Sequence, residues 1–599
     1  MKALPVLFKF FFAGFFAYLF LFTLDLKITL FDAYDYMVMA KYNAGFDNWY
    51  PFLILTRPPL LPVLLTPLAS LNYLGVSFES IFTLMHLFSL FISGGFILAS
   101  YFLFRKGLRP EFAALGAFFL MIQPGFVAYS FETMADIPAG LLMIFSVFIY
   151  LSYRKDQSAG KLFFLCFVTA LGVAMKYPMV LAPMVFIGAK MIMSFIEGNN
   201  WKQIIADPFY WMMGLLSAAM YVAISVISLL PLHGWTLENV NRALQPYLDH
   251  IFAVPAFEES MTANVSFLFA QMTAPLALLA CAGLMMIWRR KNEFNMVMFM
   301  WLAVFLLIAS VIGAHFEYRY LFPLIPACYF FSAFAMQESF DYARKKWGKK
   351  NFFPLAASGL LILLTTLPAL GFAKELISLN SGFYQNDFHR RVAKATIRGN
   401  DFIWIGPKYL MYQEEAPFHR EDPYYKFYHF WANGIAFYTG KTPKLFHNKM
   451  HYSWVNSIND GDILIYNPVR LVLETMFLLP PEKIPPLSIG KISPMKFTLD
   501  TESGNKKIFV SKGNQIELDF NREDAFTIKI TGETPLTQKY FIWFKLDPTP
   551  HLPSSSNSKV MYQFSNNLIW IVESKRDYFD RIKEVALLNF ESEDFYFTR

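Results

Sequence analysis

Residues able to do chemistry crowd into one short stretch, "TLFDAYDYMVMAKYNAGFDNWYPFLILTRPPLLPVLL", residues 29–65, a few positions after an apolar N-terminal run. Asp32, Tyr36 and Ala40 are spaced four apart, so on a helix they share one face. Asp35 lies one turn on and can join that face. Arg57 stands against Pro58 and Pro59, which fix the backbone beside its guanidinium. Further charges recur along the chain. "SFETMADIPAG" holds Glu132 and Asp136, "AMKYPM" holds Lys176, and "HFEYRYLFPLIP" holds His315, Glu317, Arg319 and Tyr320. Carboxylates suit proton abstraction, and Arg suits forked contact with an anion better than Lys does. Each residue also has a plainer reading. The acids of residues 32–35 can be solvated loop charges, and Arg57 an interfacial anchor. Glu132 and Asp136 can cap the helix that follows. Lys176 can snorkel, Arg319 can pair with Glu317, and His315 can be a structural hydrogen-bonding residue. Glu258 and Glu259 read as solvated.

The elements that must position these groups are membrane helices. The chain has 599 residues, of which 55% are hydrophobic, 18% aromatic and only 16% charged. Soluble domains carry about 25% charged residues. A net charge of +7 over this length is small and gives no nucleic-acid signature. The three cysteines, Cys166, Cys281 and Cys328, lie in apolar runs and read as packing residues. No zinc motif occurs, and the sequence requires no cofactor; a divalent cation near Glu132 and Asp136 stays open.

Eleven apolar runs reach spanning length or approach it. They lie near 4–24, 81–104, 112–130, 137–153, 161–176, 179–196, 209–230, 266–288, 296–314, 320–337 and 353–371. The first lacks a cleavage signal and reads as a retained anchor. With the N-terminus in the cytoplasm, the inside loops hold 15 Lys and Arg, whereas the outside loops after the first hold only Lys176, Arg242 and Arg319. That bias is the positive-inside pattern. The run from Pro58 to Val76 carries four prolines, which disfavour a regular helix, so it reads as interfacial or partly re-entrant. The acids named above, and everything after about residue 372, then fall on the outer face.

Residues 372–599 read as a soluble module. In 372–491, "DFIWIGP" and "GDILIYNP" are short strands, and "NDFHRRVAKATIRG" is helical, which suggests a small α/β unit. Residues 492–599 alternate apolar and polar and read as β-rich. The expected fold is therefore a polytopic α-helical membrane domain, residues 1–371, followed by an extracytoplasmic α/β plus β-rich domain.

The pattern D-x-x-x-Y-x-x-x-A after the first span, then "RPPLLP", "ETMADIP", "KYP" and "RYLFPLIP", resembles the polyprenyl-phosphate-dependent glycosyltransferases of the GT-C fold. That superfamily includes the protein O-mannosyltransferases and the lipid A aminoarabinose transferases. The resemblance covers roughly residues 1–375. It implies a lipid-linked sugar donor whose phosphate leaves, and an Asp of the first outer loop as general base on an acceptor hydroxyl or amine. Asp32 matches that position. Many members have Glu immediately after it; this chain has Ala33, which keeps Asp35 in contention. Arg57, Arg319 and then Lys176, with Tyr320 beside them, are the expected phosphate contacts, and Glu132 and Asp136 the acceptor- or metal-positioning acids. The implied partners are a polyprenyl-phosphate sugar, a lipid, glycan or protein acceptor, and membrane lipids. The implied home is a bacterial inner membrane. From another class, a transporter or flippase for a lipid-linked glycan fits many spans with polar ends. It also predicts internal repeats, which the sequence lacks.

Overall fold

A computed structural model of the chain describes residues 3–29, 31–46, 58–233, 271–311, 322–347, 353–379, 402–405, 444–446, 463–466, 487–522, 525–532, 539–546, 568–572 and 582–595, with the single positions 266, 268, 384, 390, 434, 437 and 438. The chain forms two compact units, Met1–Gln385 and Asn386–Arg599.

The first unit is helical. Among the described residues, four helical segments are long and apolar enough to cross a membrane: Leu4–Leu24, Phe78–Phe104, Asp136–Asp156 and Tyr177–Ile196. Helix α1, Leu4–Leu24, has 21 residues, hence a length of about 31 Å, close to the hydrocarbon thickness. It stops at Asp25, whose N–H bonds back to Phe22. Helix α2 is Phe31–Asn43, with Asp32 in its first turn and Lys41 in its last, the charge order that a helix dipole favours.

Helix α3, Leu60–Ser70, forms in the run where four prolines were expected to disfavour a regular helix. Pro58 and Pro59 precede the helix, with Pro59 as the N-cap; Pro62 lies in the first turn, where its missing N–H costs nothing. Only Pro67 is interior. At 11 residues and 4 further residues of 3-10 turn, Leu71–Leu74, the element is too short to cross straight through. The α2 end is tied to it at Gly45. There φ is +90° and an added Cβ would lie 3.2 Å from the Tyr73 hydroxyl. That hydroxyl donates to the Ala44 carbonyl at 2.9 Å, and Phe46 stacks on the Tyr73 ring with centroids 4.7 Å apart.

Helix α4, Phe78–Phe104, starts at Ser77, which accepts from the Ser80 N–H, and carries Glu79 in its first turn. Helices α5, Pro110–Met121, and α6, Pro124–Tyr129, divide the run expected as one span at 112–130, because Pro124 cannot donate the bond that would join them. Helix α7 is Asp136–Asp156, α8 is Ala159–Met175 and α9 is Ala182–Ile196. Helices α10, Trp201–Ala206, and α11, Pro208–His233, follow. Helix α12, Ala274–Met286, α13, Glu293–Val311, α14, Ile325–Trp347, and α15, Phe353–Leu379, complete the unit. Aromatic rings fill the joints: Phe8 stacks on Tyr101 at 5.4 Å and Phe11 meets Phe118 edge-on at 4.9 Å.

The C-terminal end of α7 is locked by charge. Arg154 forms ion pairs with Glu293 at 3.0 Å and Glu197 at 3.6 Å, and Tyr150 donates to Glu293. Lys190 pairs with Asp207 over the Phe209 ring, 4.4 Å away. These bonds tie α7 to α13, and α9 to the start of α11, so the opposite, Asp136 end of α7 is held on a rigid frame.

The second unit contains a sheet of β1 (Phe402–Ile405), β2 (Lys444–Phe446), β3 (Ile463–Tyr466), β4 (Leu487–Ser503), β5 (Lys506–Ser511), β6 (Asn514–Arg522), β7 (Ala525–Gly532), β8 (Lys539–Leu546), β9 (Leu568–Val572) and β10 (Ile582–Phe595). The order is β2-β1-β3-β4-β5-β6-β7-β9, and β10 pairs with β4 and β8. β1 runs parallel to β2 and β3; every other described pairing is antiparallel. Strands β1 and β3 form in the two runs expected as strands. Between β5 and β6, Lys512 at φ +42° and Gly513 at φ +80° make the two-residue turn that twisted hairpins favour. Phe497, Phe509, Ile516 and Leu518 form the local core.

Candidate active site

The acids beside the first membrane helix are neither in a loop nor solvated. Asp32 is 2% exposed and Asp35 fully buried, both on α2. Tyr36 and Ala40 are buried with them, as a shared helical face requires. Carboxylates are removed from water only where the fold supplies compensating contacts, so two together on one short helix mark a built polar site.

The segment entering α2 is tied down at both ends. The Lys27 N–H donates to the Tyr384 carbonyl at 2.9 Å, and the Thr29 hydroxyl donates to the Glu132 carboxylate. Glu132 therefore lies against the residue three positions before Asp32. Its own segment, residues 130–135 between α6 and α7, is held by α4. Ser93 donates to the Ser130 carbonyl at 2.6 Å, and the His86 Nδ1–H donates to the Phe131 carbonyl at 2.8 Å. Phe131 packs edge-on against Phe22 at 5.1 Å and Tyr384 at 5.4 Å.

Asp136 opens α7 and forms a buried ion pair with Lys176. The N-cap of α7 is Ala135, with no side-chain cap bond, so capping is not Asp136's distinguishing contact. Lys176 is extended backbone between α8 and the 3-10 turn Tyr177–Leu181, and that kink aims its side chain at α7. The structure thus joins Glu132 to the α2 entry and Asp136 to Lys176. Arg57, His315, Glu317, Arg319 and Tyr320, and the pair Glu258 and Glu259, lie outside the described residues. Among the described residues no three His, Cys, Asp or Glu side chains group as metal ligands.

Three contributors escaped the sequence reading: Thr29, His86 and Lys41. Each is fully buried. His86 had a legible signal, a lone imidazole inside an apolar span, where polar groups are costly. Lys41 sits 3.5 Å from the centroid of Phe78 and 5.8 Å from that of Phe46, a cation over two rings. Burial pushes its ammonium well below the ordinary lysine value. Lys41 and Tyr34, seven positions apart, share the α2 face turned to Phe78 and Phe82 of α4.

Residues 56–227 match the family model described as dolichyl-phosphate-mannose-protein mannosyltransferase. Among solved structures, the chain is similar to ArnT from Cupriavidus metallidurans bound to undecaprenyl phosphate, with TM-score 0.50 and 11% identity over 80% of this chain and 95% of that one. This is the GT-C fold. The archaeal oligosaccharyltransferase AglB from Archaeoglobus fulgidus, in complex with an inhibitory peptide and a dolichol-phosphate, aligns with TM-score 0.45 and 11% identity over 77% of this chain and 69% of that one. No curated protein matches the sequence. At such identity the likeness speaks for the GT-C fold alone. The region matched by the family model runs from α3 through most of α11, so it includes Glu132, Asp136 and Lys176 and begins after α2.

Proposed function

We propose that this protein is an integral-membrane glycosyltransferase that moves a sugar from a polyprenyl-phosphate donor to a lipid, glycan or protein acceptor on the extracytoplasmic face. The observation that carries the reading is the burial of Asp32 and Asp35 on α2, the helix directly after the first membrane helix, with Glu132 bonded to the segment that enters it. The fold and the family match of residues 56–227 support it.

In this reading one carboxylate, Asp32 or Asp35, takes the proton of the acceptor hydroxyl or amine. The acceptor atom bonds to the anomeric carbon as the bond from that carbon to the phosphate oxygen breaks. The electron pair leaves with the phosphate, and one displacement inverts the configuration. Arg57 and Arg319, with Tyr320 and Lys176, receive the charge that develops on the departing phosphate. Glu132 and Asp136 orient the acceptor side of the site. The membrane domain is residues 1–371 with eleven spans and a cytoplasmic N-terminus, in the plasma membrane of a bacterium. Residues 372–599 form the outer-face domain, with an α/β part to 491 and a β-rich part after it. The spread of Lys and Arg between loops supports this sidedness.

The test is transfer by the purified full-length protein from a panel of undecaprenyl- and dolichyl-phosphate sugars. Asp32→Asn or Asp35→Asn should lower turnover by about 10³-fold or more, with donor binding retained. Transfer that survives in both variants refutes the mechanism. Lipid flipping in vesicles without any transfer would assign the chain to the transporter class instead.

A further inference from the structure

We propose that His86 is a positioning residue: through its Nδ1–H it clamps the Phe131 carbonyl and so sets Glu132 against Thr29 at the entry of α2. The role in turnover rests on the function proposed above; the clamp itself does not. His86 is fully buried in α4 and lies outside every motif that suggested the site. The Phe131 carbonyl can only accept, so at 2.8 Å it requires the proton on Nδ1. The Thr133 hydroxyl lies 3.3 Å from the same nitrogen. Among the described residues Nε2 has no hydrogen-bond partner. The side chain is therefore used at one nitrogen only.

Two further contacts make this a link rather than a chance bond. Ser93, two turns along α4, holds the preceding carbonyl, that of Ser130, at 2.6 Å. Two consecutive carbonyls are thus fixed by one helix, and the next residue is Glu132, whose N–H bonds the Tyr129 carbonyl at 3.2 Å. In the other direction the imidazole lies on Phe82 at 4.5 Å, and Phe82 meets Tyr34 of α2 at 6.2 Å. The ring of His86 thus reaches α2 by both routes, through Phe131–Glu132–Thr29 and through Phe82–Tyr34. In a site where misplacement of about 1 Å costs about 100-fold in rate, such a strut is felt in turnover.

The one-nitrogen geometry supplies the test. An Asn side-chain amide puts a donor where Nδ1 is; a Gln amide puts it where Nε2 is. His86→Asn should keep the clamp, and His86→Gln and His86→Ala should lose it. Hydrogen–deuterium exchange of the full-length protein in detergent reads the clamp directly. Amides of residues 131–134 should exchange at least about tenfold faster in His86→Gln and His86→Ala, and within about threefold of wild type in His86→Asn. With a donor found active in the panel above, kcat should fall about tenfold in the first two variants while donor KM stays within about twofold, and Asn should restore it. Equal exchange in the Asn and Gln variants overturns the proposal, as does a change in KM rather than kcat. A His86→Asn protein that melts with His86→Gln also overturns it. If wild type transfers from no donor, the function reading falls, and the exchange comparison still decides the clamp.

Discussion

Asp136→Asn is the perturbation whose cost the structure sets most directly. The Asp136 and Lys176 side chains are 4% and 11% exposed, so both charges have left water for each other. Breaking a buried pair by removing one partner costs about 3–5 kcal/mol. A control of the same chemistry lies elsewhere in the unit. Arg109 and Asp341 meet at 2.9 Å with 37% of each side chain exposed, and an exposed pair is worth about 0–1 kcal/mol. Asp136→Asn and Lys176→Met should each lower the unfolding free energy by about 3 kcal/mol or more, and Asp341→Asn by less than about 1 kcal/mol. The double variant Asp136→Leu with Lys176→Met should cost far less than the sum, with a coupling of about 2–3 kcal/mol, because it removes both charges of the pair together. The assay is unfolding in mixed micelles titrated with dodecyl sulfate, followed by the fluorescence of the 12 tryptophans. Single variants that cost no more than Asp341→Asn, or additive effects in the double variant, would refute the argument from burial.

Arg57→Ala should weaken binding of undecaprenyl phosphate about tenfold or more, and Arg57→Lys should recover only part of it, because the forked geometry is lost; lipid titration of the full-length protein measures both. Lys41 gives a pH signature: its folded pKa is depressed by burial, so above that value the unfolded chain binds more protons and stability rises with pH toward the ordinary lysine range of about 10.4. Melting curves from about pH 7 to about pH 10 should show this rise in wild type and a flatter line in Lys41→Met, and equal slopes would count against the buried ammonium.

Much of the frame is legible in the residues. Apolar runs of spanning length predict α1 and α4, since a helix in hydrocarbon satisfies its own backbone and its length is set by the bilayer. Fourfold spacing placed Asp32, Tyr36 and Ala40 on one face, and the face exists because 3.6 residues make a turn. Spacing is silent on burial, which depends on what packs opposite. Whether Asp32 and Asp35 are loop charges or buried acids was decided by tertiary packing around α2, with α3 lying along it. The prolines of residues 58–67 misled because their effect depends on position in the helix, and most of them lie before it or in its first turn.

Partnership across the chain lay beyond the sequence altogether. Glu132 meets Thr29 over 103 positions and Lys176 meets Asp136 over 40. Residue types say that an acid inside a membrane domain needs a partner. Only the packing of α4, α7 and α8 chooses which donor arrives, because hydrogen bonds reach about 3 Å and no local periodicity carries that distance across the fold. The sequence by itself determined that this chain spans a membrane and carries acids and cations beside its helices. The tertiary structure decided which of them are buried together.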